Sequence, residues 1–319
     1  MYWYCVAGTT EWTGKPLTLE HVSCNLCRAE EASAYCTVND FQIVRCDSCG
    51  LLYTNPRRPE SELPDIYSEK YYVSQNPSTL GYDDYCSHAE GLKRSFEKHL
   101  ELIEKYVRPP AAILDVGCAF GYFLEVASSH GWRPEGVEVS SFAAKEAARS
   151  AGATIHTGTL SSAHLPGSSY DVATMWDVLE HTFDPTAELA EVNRVLKPYG
   201  YLFMTVPNAG SALARIMGTH WYGFKKVAEH NYFFSKNTLR RMLNKTGFAL
   251  LQTKLGIWPC SLRFLVTKLE PYSPTAYRIA RKAVNGLGLG HMIVNFRFID
   301  MLVIARKEGD PLREPISSG

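Results

Sequence analysis

The sequence predicts an α/β protein built on a doubly wound, mainly parallel sheet of seven strands, preceded by a small cysteine-bearing module. Three observations carry that expectation. From Ala112 onward, short apolar runs alternate with segments of helical periodicity. Two CxxC pairs, Cys24 with Cys27 and Cys46 with Cys49, precede that region. The run AAILDVGCAFGYFLEVA (111–127) carries a carboxylate, Asp115, at its strand end and turns through small residues into a helix.

The strand-like runs are AILDV, EGVEV, ATIHT, YDVATMW, GYLFMTV, FALLQTKLG and FIDMLVIAR. Helical segments lie between most of them: from Tyr122, from Phe142 with Ser140 or Ser141 as cap, AELAEVNRVL, and KNTLRRMLNKTG capped by Ser235. Such alternation requires crossover connections, hence a mainly parallel sheet. An amphipathic run, GLKRSFEKHLELIEKYV, precedes the first strand, and Pro109 and Pro110 stop it. The expected organisation is a cysteine module over 20–58, a helical linker over 59–110 and a large domain over 111–308. That domain carries candidate lids at about 209–230 and 258–296, and a loose tail follows at 309–319.

With 319 residues, 45% of them hydrophobic and 21% charged, the chain can bury a full core and one smaller module. Its formal net charge is zero, so no global field draws it to nucleic acid, and no nucleic-acid partner is expected. The N-terminus lacks a basic segment followed by an apolar core, and the apolar stretch 286–305 is interrupted by His291, Asn295, Arg297 and Asp300. A cytoplasmic protein without a membrane span is therefore expected. Nine cysteines, an odd number, fit a reducing compartment.

In CNLC and CDSC, two residues separate the thiols of each pair, and 18 residues separate the inner cysteines. Each tight knuckle directs two thiolates at one ion, and two knuckles complete a tetrahedron of sulfur with no position left for water. Structural zinc is the expected occupant. The intervening YCTVNDFQIVRC supplies two short strands, as in a zinc ribbon, with Cys36 left over for packing.

Around the carboxylate, Gly117-x-Ala119-x-Gly121 lacks the third glycine of a dinucleotide fingerprint and the Gly-Lys-Ser/Thr of a phosphate loop. DVGCAFG followed by GVEVS resembles the class I S-adenosylmethionine-dependent methyltransferases, and with the cysteine module the chain is similar to members that carry an N-terminal CxxC-CxxC ribbon and act on sugars and secondary metabolites. The resemblance implies a Rossmann-like fold and S-adenosylmethionine as cofactor. Asp115 would order groups around the methionine part, Gly117, Ala119 and Gly121 would form the turn, and Glu138 would accept from both ribose hydroxyls. Gly158, Thr159 and Leu160 would flank adenine, and Asp177 in WDVLEH would line the methionyl moiety. Because Ala119 stands where the pattern has glycine, its methyl group opposes a positive φ, and the turn is expected to differ there.

Methyl transfer to a hydroxyl or activated carbon needs a base, and His181 and His230 are placed for it, with Glu229 and Tyr222 nearby in HWYGFKKVAEHNYFF. That stretch, rich in rings and polar tips, reads as a substrate lid; Tyr71 and Tyr72 either close over the cofactor or pack. The leading expectation is methyl transfer to carbon or oxygen of a small-molecule acceptor. Three alternatives remain open. Asp177, Glu180, His181, Glu229 and His230 resemble the magnesium set of the small-RNA 3'-end methyltransferases; the ribbon would suit RNA docking; and the chain would serve as a non-catalytic zinc-dependent interaction protein.

Overall fold

The computed structural model describes residues 18–72, 85–86, 89–256, 258–267, 269, 273–296 and 300–309. Strands β1 (Ala32–Val38) and β2 (Phe41–Cys46) form an antiparallel hairpin whose tip, Asn39-Asp40, takes the left-handed φ values of 47° and 66° that Asn and Asp tolerate. Strand β3 (Leu52–Thr54) pairs with β2. Two single-turn helices follow, α1 (Leu63–Ile66) and α2 (Glu69–Tyr72), then α3 (Ala89–Ile103). Helix α3 buries Leu100 and Ile103 against the large sheet. It ends at Ile103 and not at the expected Val107, because Glu104–Val107 tightens into a turn well before Pro109.

The large half alternates as the hydrophobic pattern requires: β4 (Ala112–Val116), α4 (Tyr122–Ser129), β5 (Arg133–Glu138), α5 (Ser141–Ser150), β6 (Thr154–Thr157) and β7 (Tyr170–Trp176). Then come α6 (Pro185–Val195), β8 (Leu196–Pro207), α7 (Ala212–Met217), α8 (Tyr222–Lys225), β9 (Tyr232–Phe233), α9 (Lys236–Lys245) and β10 (Phe248–Leu255). An antiparallel pair, β11 (Trp258–Ser261) and β12 (Ile293–Phe296), encloses α10 (Leu262–Thr267) and α11 (Pro274–Gly286) before β13 (Asp300–Lys307). Side chains of Ser140, Asp184 and Ser235 accept from backbone amides at the starts of α5, α6 and α9, satisfying donors that a helix cannot satisfy itself.

The seven-stranded sheet has the order β10-β13-β8-β7-β4-β5-β6, with β13 antiparallel to both neighbours. This is a Rossmann-like, doubly wound sheet, and its strand order reverses between β4 and β7, where such sheets open a crevice at their carboxyl edge. Ile113, Leu114, Val172, Phe203 and Ile304 are fully buried, because helices cover both faces.

The ribbon's sheet is completed from the other half of the chain. Leu52 and Tyr53 of β3 pair with Phe233 and Tyr232 of β9. The stretch around α8 differs from the expected lid: Trp221 and Phe224 are buried against Phe41, Ile43 and Leu52 of the ribbon. Its rings form a core between the two modules. The expected tail lies, beyond residue 309, outside the described residues, and among those described no helix is long and apolar enough to cross a membrane.

Candidate active site at the carboxyl edge

Parallel pairing sets Asp115 beside Gly136 of β5 and Thr174 of β7, so its carboxylate reaches the edge where the strand order reverses. Thr174 Oγ1 donates to Asp115 Oδ1 at 2.6 Å. Burial nevertheless pushes the Asp115 carboxyl up to about 8, and nearby Glu138 adds to the rise. Glu138 ends the adjacent strand. Its Oε2 accepts from the Ala119 amide and its Oε1 from the Ser140 amide, both at 2.8 Å. Burial raises its pKa too, opposed by these amides and by the Tyr72 hydroxyl. Each carboxylate oxygen accepts more than one hydrogen, so Glu138 keeps capacity for a ligand's hydroxyls.

The turn between the two acids explains the small residues. A Cβ on Gly117 would lie 2.6 Å from Val178 Cγ2, at a φ of 74°. Gly121, at a φ of 76°, faces away from the cavity, where a Cβ would lie 2.9 Å from Ala151 Cβ and 3.1 Å from Ala147 Cβ of the α5 region. Ala119 corrects the expectation that its methyl group would alter the turn: it adopts a φ of 49°, and its amide is thereby aimed at Glu138. Left-handed alanine costs about 1 kcal/mol, an expense the charge-assisted hydrogen bond to Glu138 offsets.

Asp115, Gly117, Ala119, Glu138, Leu160 and Asp177 line one cavity of about 420 Å³, within the size range of small-molecule sites. Thr159, Gly158 and His181 border it as well. Sequence reasoning missed part of its wall. Tyr67 and Tyr85 join Tyr71 and Tyr72 in roofing it from the linker, and Trp176 faces it from the end of β7. The cluster YSEKYY is the only local signal for that roof.

His181 sits in a short 3-10 turn, and His230 packs edge-on behind it, with ring centroids 4.6 Å apart. His181 Nδ1 lies 3.0 Å from the Glu229 carbonyl and His230 Nδ1 lies 3.2 Å from the Gly223 carbonyl. A carbonyl only accepts, so each Nδ1 carries the hydrogen and each Nε2 keeps its lone pair. Burial lowers the pKa of both imidazoles, so they are neutral near pH 7. Burial alone would raise the Glu229 carboxyl, but Lys226, whose Nζ is 2.8 Å away, with His181 and His230 brings it down to about 2. His230 and Tyr222 do not line the cavity, and Glu229 borders only a smaller void beside His181.

Among the described residues, two clusters bring together side chains that could hold a metal ion. The sulfur atoms of Cys24, Cys27, Cys46 and Cys49 lie within 4.8 Å of one another, with 3.4 Å between Cys24 and Cys49 and 3.5 Å between Cys27 and Cys46. A zinc–sulfur bond of about 2.3 Å in a tetrahedron sets sulfurs about 3.8 Å apart, so these residues fit zinc. The ligand atoms of Glu180, His181 and His230 also fall within 4.8 Å of one another.

An expected consequence follows from Asp115. Below about pH 8 the free chain holds a proton on this group. A ligand bringing an ammonium or hydroxyl donors to it favours the carboxylate. Binding of S-adenosylhomocysteine, the ligand type that the sequence resemblance implies, should therefore release up to one proton at pH 7, seen as a calorimetric enthalpy that varies with the buffer's ionisation enthalpy. The Asp115→Asn variant should lose that variation.

Residues 88–253, more than half of the chain, match the family described as a methyltransferase domain. The chain is 30% identical over 148 residues to the ubiquinone biosynthesis O-methyltransferase of Thiobacillus denitrificans, a match covering 42% of this chain and 63% of that protein, less than two thirds of its length. It is 24% identical over 172 residues to the protein of the same name from Burkholderia pseudomallei, covering 50% of this chain and 74% of the relative. Among solved structures, a SAM-dependent methyltransferase from Methanosarcina mazei superposes with a TM-score of 0.46 at 21% identity, covering 66% of this chain and 98% of the other. The chain, with its seven-stranded Rossmann-like sheet, belongs to the methyltransferase domain family.

Proposed function

We propose that the chain methylates an oxygen, or an activated carbon, of a small-molecule acceptor, with His181 as general base and a structural zinc in the four-cysteine ribbon. The observation that carries this reading is the single cavity that joins two strand-end carboxylates, Asp115 and Glu138, to a neutral imidazole, His181. Bound S-adenosylmethionine supplies an electrophilic methyl group. Glu138 would hold the ribose, Asp115 the methionyl end, and Leu160 the adenine. The linker tyrosines exclude water, which keeps the acceptor as the nucleophile. His181 Nε2, with its lone pair free, takes the acceptor's proton as the new bond to carbon forms and the carbon–sulfur bond breaks. The names of the relatives favour oxygen as the acceptor atom.

A second reading, metal-assisted transfer, is favoured by one observation. Both oxygens of Glu180 are buried without a hydrogen-bond partner, next to the two imidazoles. Two imidazoles and a carboxylate suit zinc, manganese or iron better than magnesium, and such an ion would acidify an acceptor hydroxyl.

Both readings are tested by incubating the chain with methyl-labelled S-adenosylmethionine and hydroxylated aromatic or sugar acceptors. Label transferred to an acceptor is the expected result, and none with any acceptor overturns the proposal. Turnover that survives chelation of the Glu180 cluster, with zinc retained in the ribbon, removes the metal-assisted reading.

A further inference from the structure

The β11–β12 insertion carries a surface that the proposed chemistry does not use. Residues 258–296 contain five basic side chains, Arg263, Lys268, Arg278, Arg281 and Lys282, against one acid, Glu270, a net charge of +4 in a chain whose total is zero. The compensating acids lie elsewhere, so the positive charge is concentrated here. Within the insertion, α11 packs against α10 through one side, with Val284 buried and Tyr277 and Ala280 half-buried. Its outer side carries an apolar row where solvent would favour polar residues. Ile279, Ala283 and Leu287 recur at intervals of four, which aligns them in one row on a helix, and Ile279 and Leu287 are 67% and 70% exposed. Leu289 and Met292 extend the exposed apolar surface beyond the helix end. Arg278 and Lys282 are exposed beside the row.

We propose that this face docks on an anionic lipid surface, with the Ile279–Leu287 row entering the headgroup boundary and Arg278 and Lys282, which flank it, meeting the lipid phosphates. The combination of a basic flank with a bare apolar row is what an interfacial helix requires. A nucleic acid would use the charge and leave Ile279 and Leu287 in water; a second copy of a neutral chain would leave the charge unmatched. The insertion's position adds a geometric argument. It leaves the sheet after β10 and returns at Asp300, which pairs with Pro207, the last residue of β8, so it rises from the same carboxyl edge as the cavity. Docking would thus turn the mouth of the site toward the membrane plane. The inference stands on the fold and the surface alone and is independent of the methyl-transfer reading.

The test is co-sedimentation of the full chain with sucrose-loaded vesicles of equal parts phosphatidylglycerol and phosphatidylcholine, compared with vesicles of phosphatidylcholine only. The expected result is affinity for the anionic vesicles at least about tenfold higher, falling as salt is raised. Both the Arg278→Glu/Lys282→Glu pair and the Ile279→Asp/Leu287→Asp pair should lose about tenfold or more. S-adenosylhomocysteine binding should remain unchanged in both, which reports that they fold. Failure to bind anionic vesicles, or equal binding to both compositions, overturns the proposal. So does a dimer in solution that Ile279→Asp dissociates, or retention on RNA that responds to the charge pair and ignores the apolar one.

Discussion

Replacing Cys46 by Ser, or stripping the ribbon with a strong chelator, should lower acceptor turnover at least a hundredfold while S-adenosylhomocysteine still binds within a few-fold of the native affinity. The reason lies in what the ribbon touches. Thr54 donates its amide to the Asn231 carbonyl and its hydroxyl to the His230 carbonyl, both at 2.9 Å. Asn231 in turn donates through Nδ2 to the His181 carbonyl and through its amide to the Glu180 carbonyl, each at 2.8 Å. Arg57 Nη1 reaches the Phe183 carbonyl at 2.8 Å, and Asn25 Nδ2 reaches Asp184 Oδ1 at 2.8 Å. The His230 loop is therefore fastened to the ribbon by the amide and hydroxyl of Thr54, and the His181 loop by the side chains of Arg57 and Asn25.

A structural zinc contributes roughly 10 kcal/mol to folding such a module, more than its short strands supply. Without the proposed zinc the histidines would be free to drift, and a displacement of about 1 Å at a reacting group costs about a hundredfold in rate. Asp115 and Glu138, on β4 and β5, have no hydrogen bond to the ribbon among the described residues, so cofactor binding should survive. Metal content measured alongside turnover checks the link; a zinc-free variant with native turnover would break it.

The His181→Ala variant should lose between about a hundredfold and ten-thousandfold in kcat, the span typical of a positioned base, with little change in cofactor affinity. His181→Gln should not restore it, because an amide cannot take the proton. The pH profile supplies a second reading. Burial holds the folded pKa of His181 below the ordinary histidine value of 6.5. The neutral, competent form is lost only as the pH falls through that lowered value. Turnover should accordingly stay level through neutrality and decline below pH 6.5, and the acid limb should vanish from the residual activity of the alanine variant. A decline centred above pH 7 would show that another group carries the proton.

The sheet and the placement of Asp115 and Glu138 at its carboxyl edge were legible because their signals are local. Asp115 and Glu138 each terminate an apolar run, the turn residues follow at once, and Ser140 and Ser235 mark helix starts within a few residues. The grouping of His181 with Glu229 and His230, the proposed acceptor end, was not legible in the same way. His181 meets the Glu229 carbonyl across 48 residues of sequence, and Thr54 meets His230 across 176. No periodicity encodes such contacts.

The HWYGFKK stretch shows the limit from the other side. Rings mixed with polar tips look like a lid when read alone, yet Trp221 and Phe224 are buried by ribbon strands lying some 170 residues earlier in the chain. Ala119 shows that a local rule was overridden: the amide bond to Glu138 holds a left-handed backbone that the side chain disfavours.

Calorimetric titration of the full chain and of Glu138→Ala with S-adenosylhomocysteine tests the central claim most directly. The native chain should bind one equivalent saturably. Losing the two hydrogen bonds expected from a carboxylate to the ribose should weaken the variant by about 3 kcal/mol, a factor of more than a hundred. No heat from the native chain, equal affinity in the variant, or displacement by a dinucleotide would contradict it.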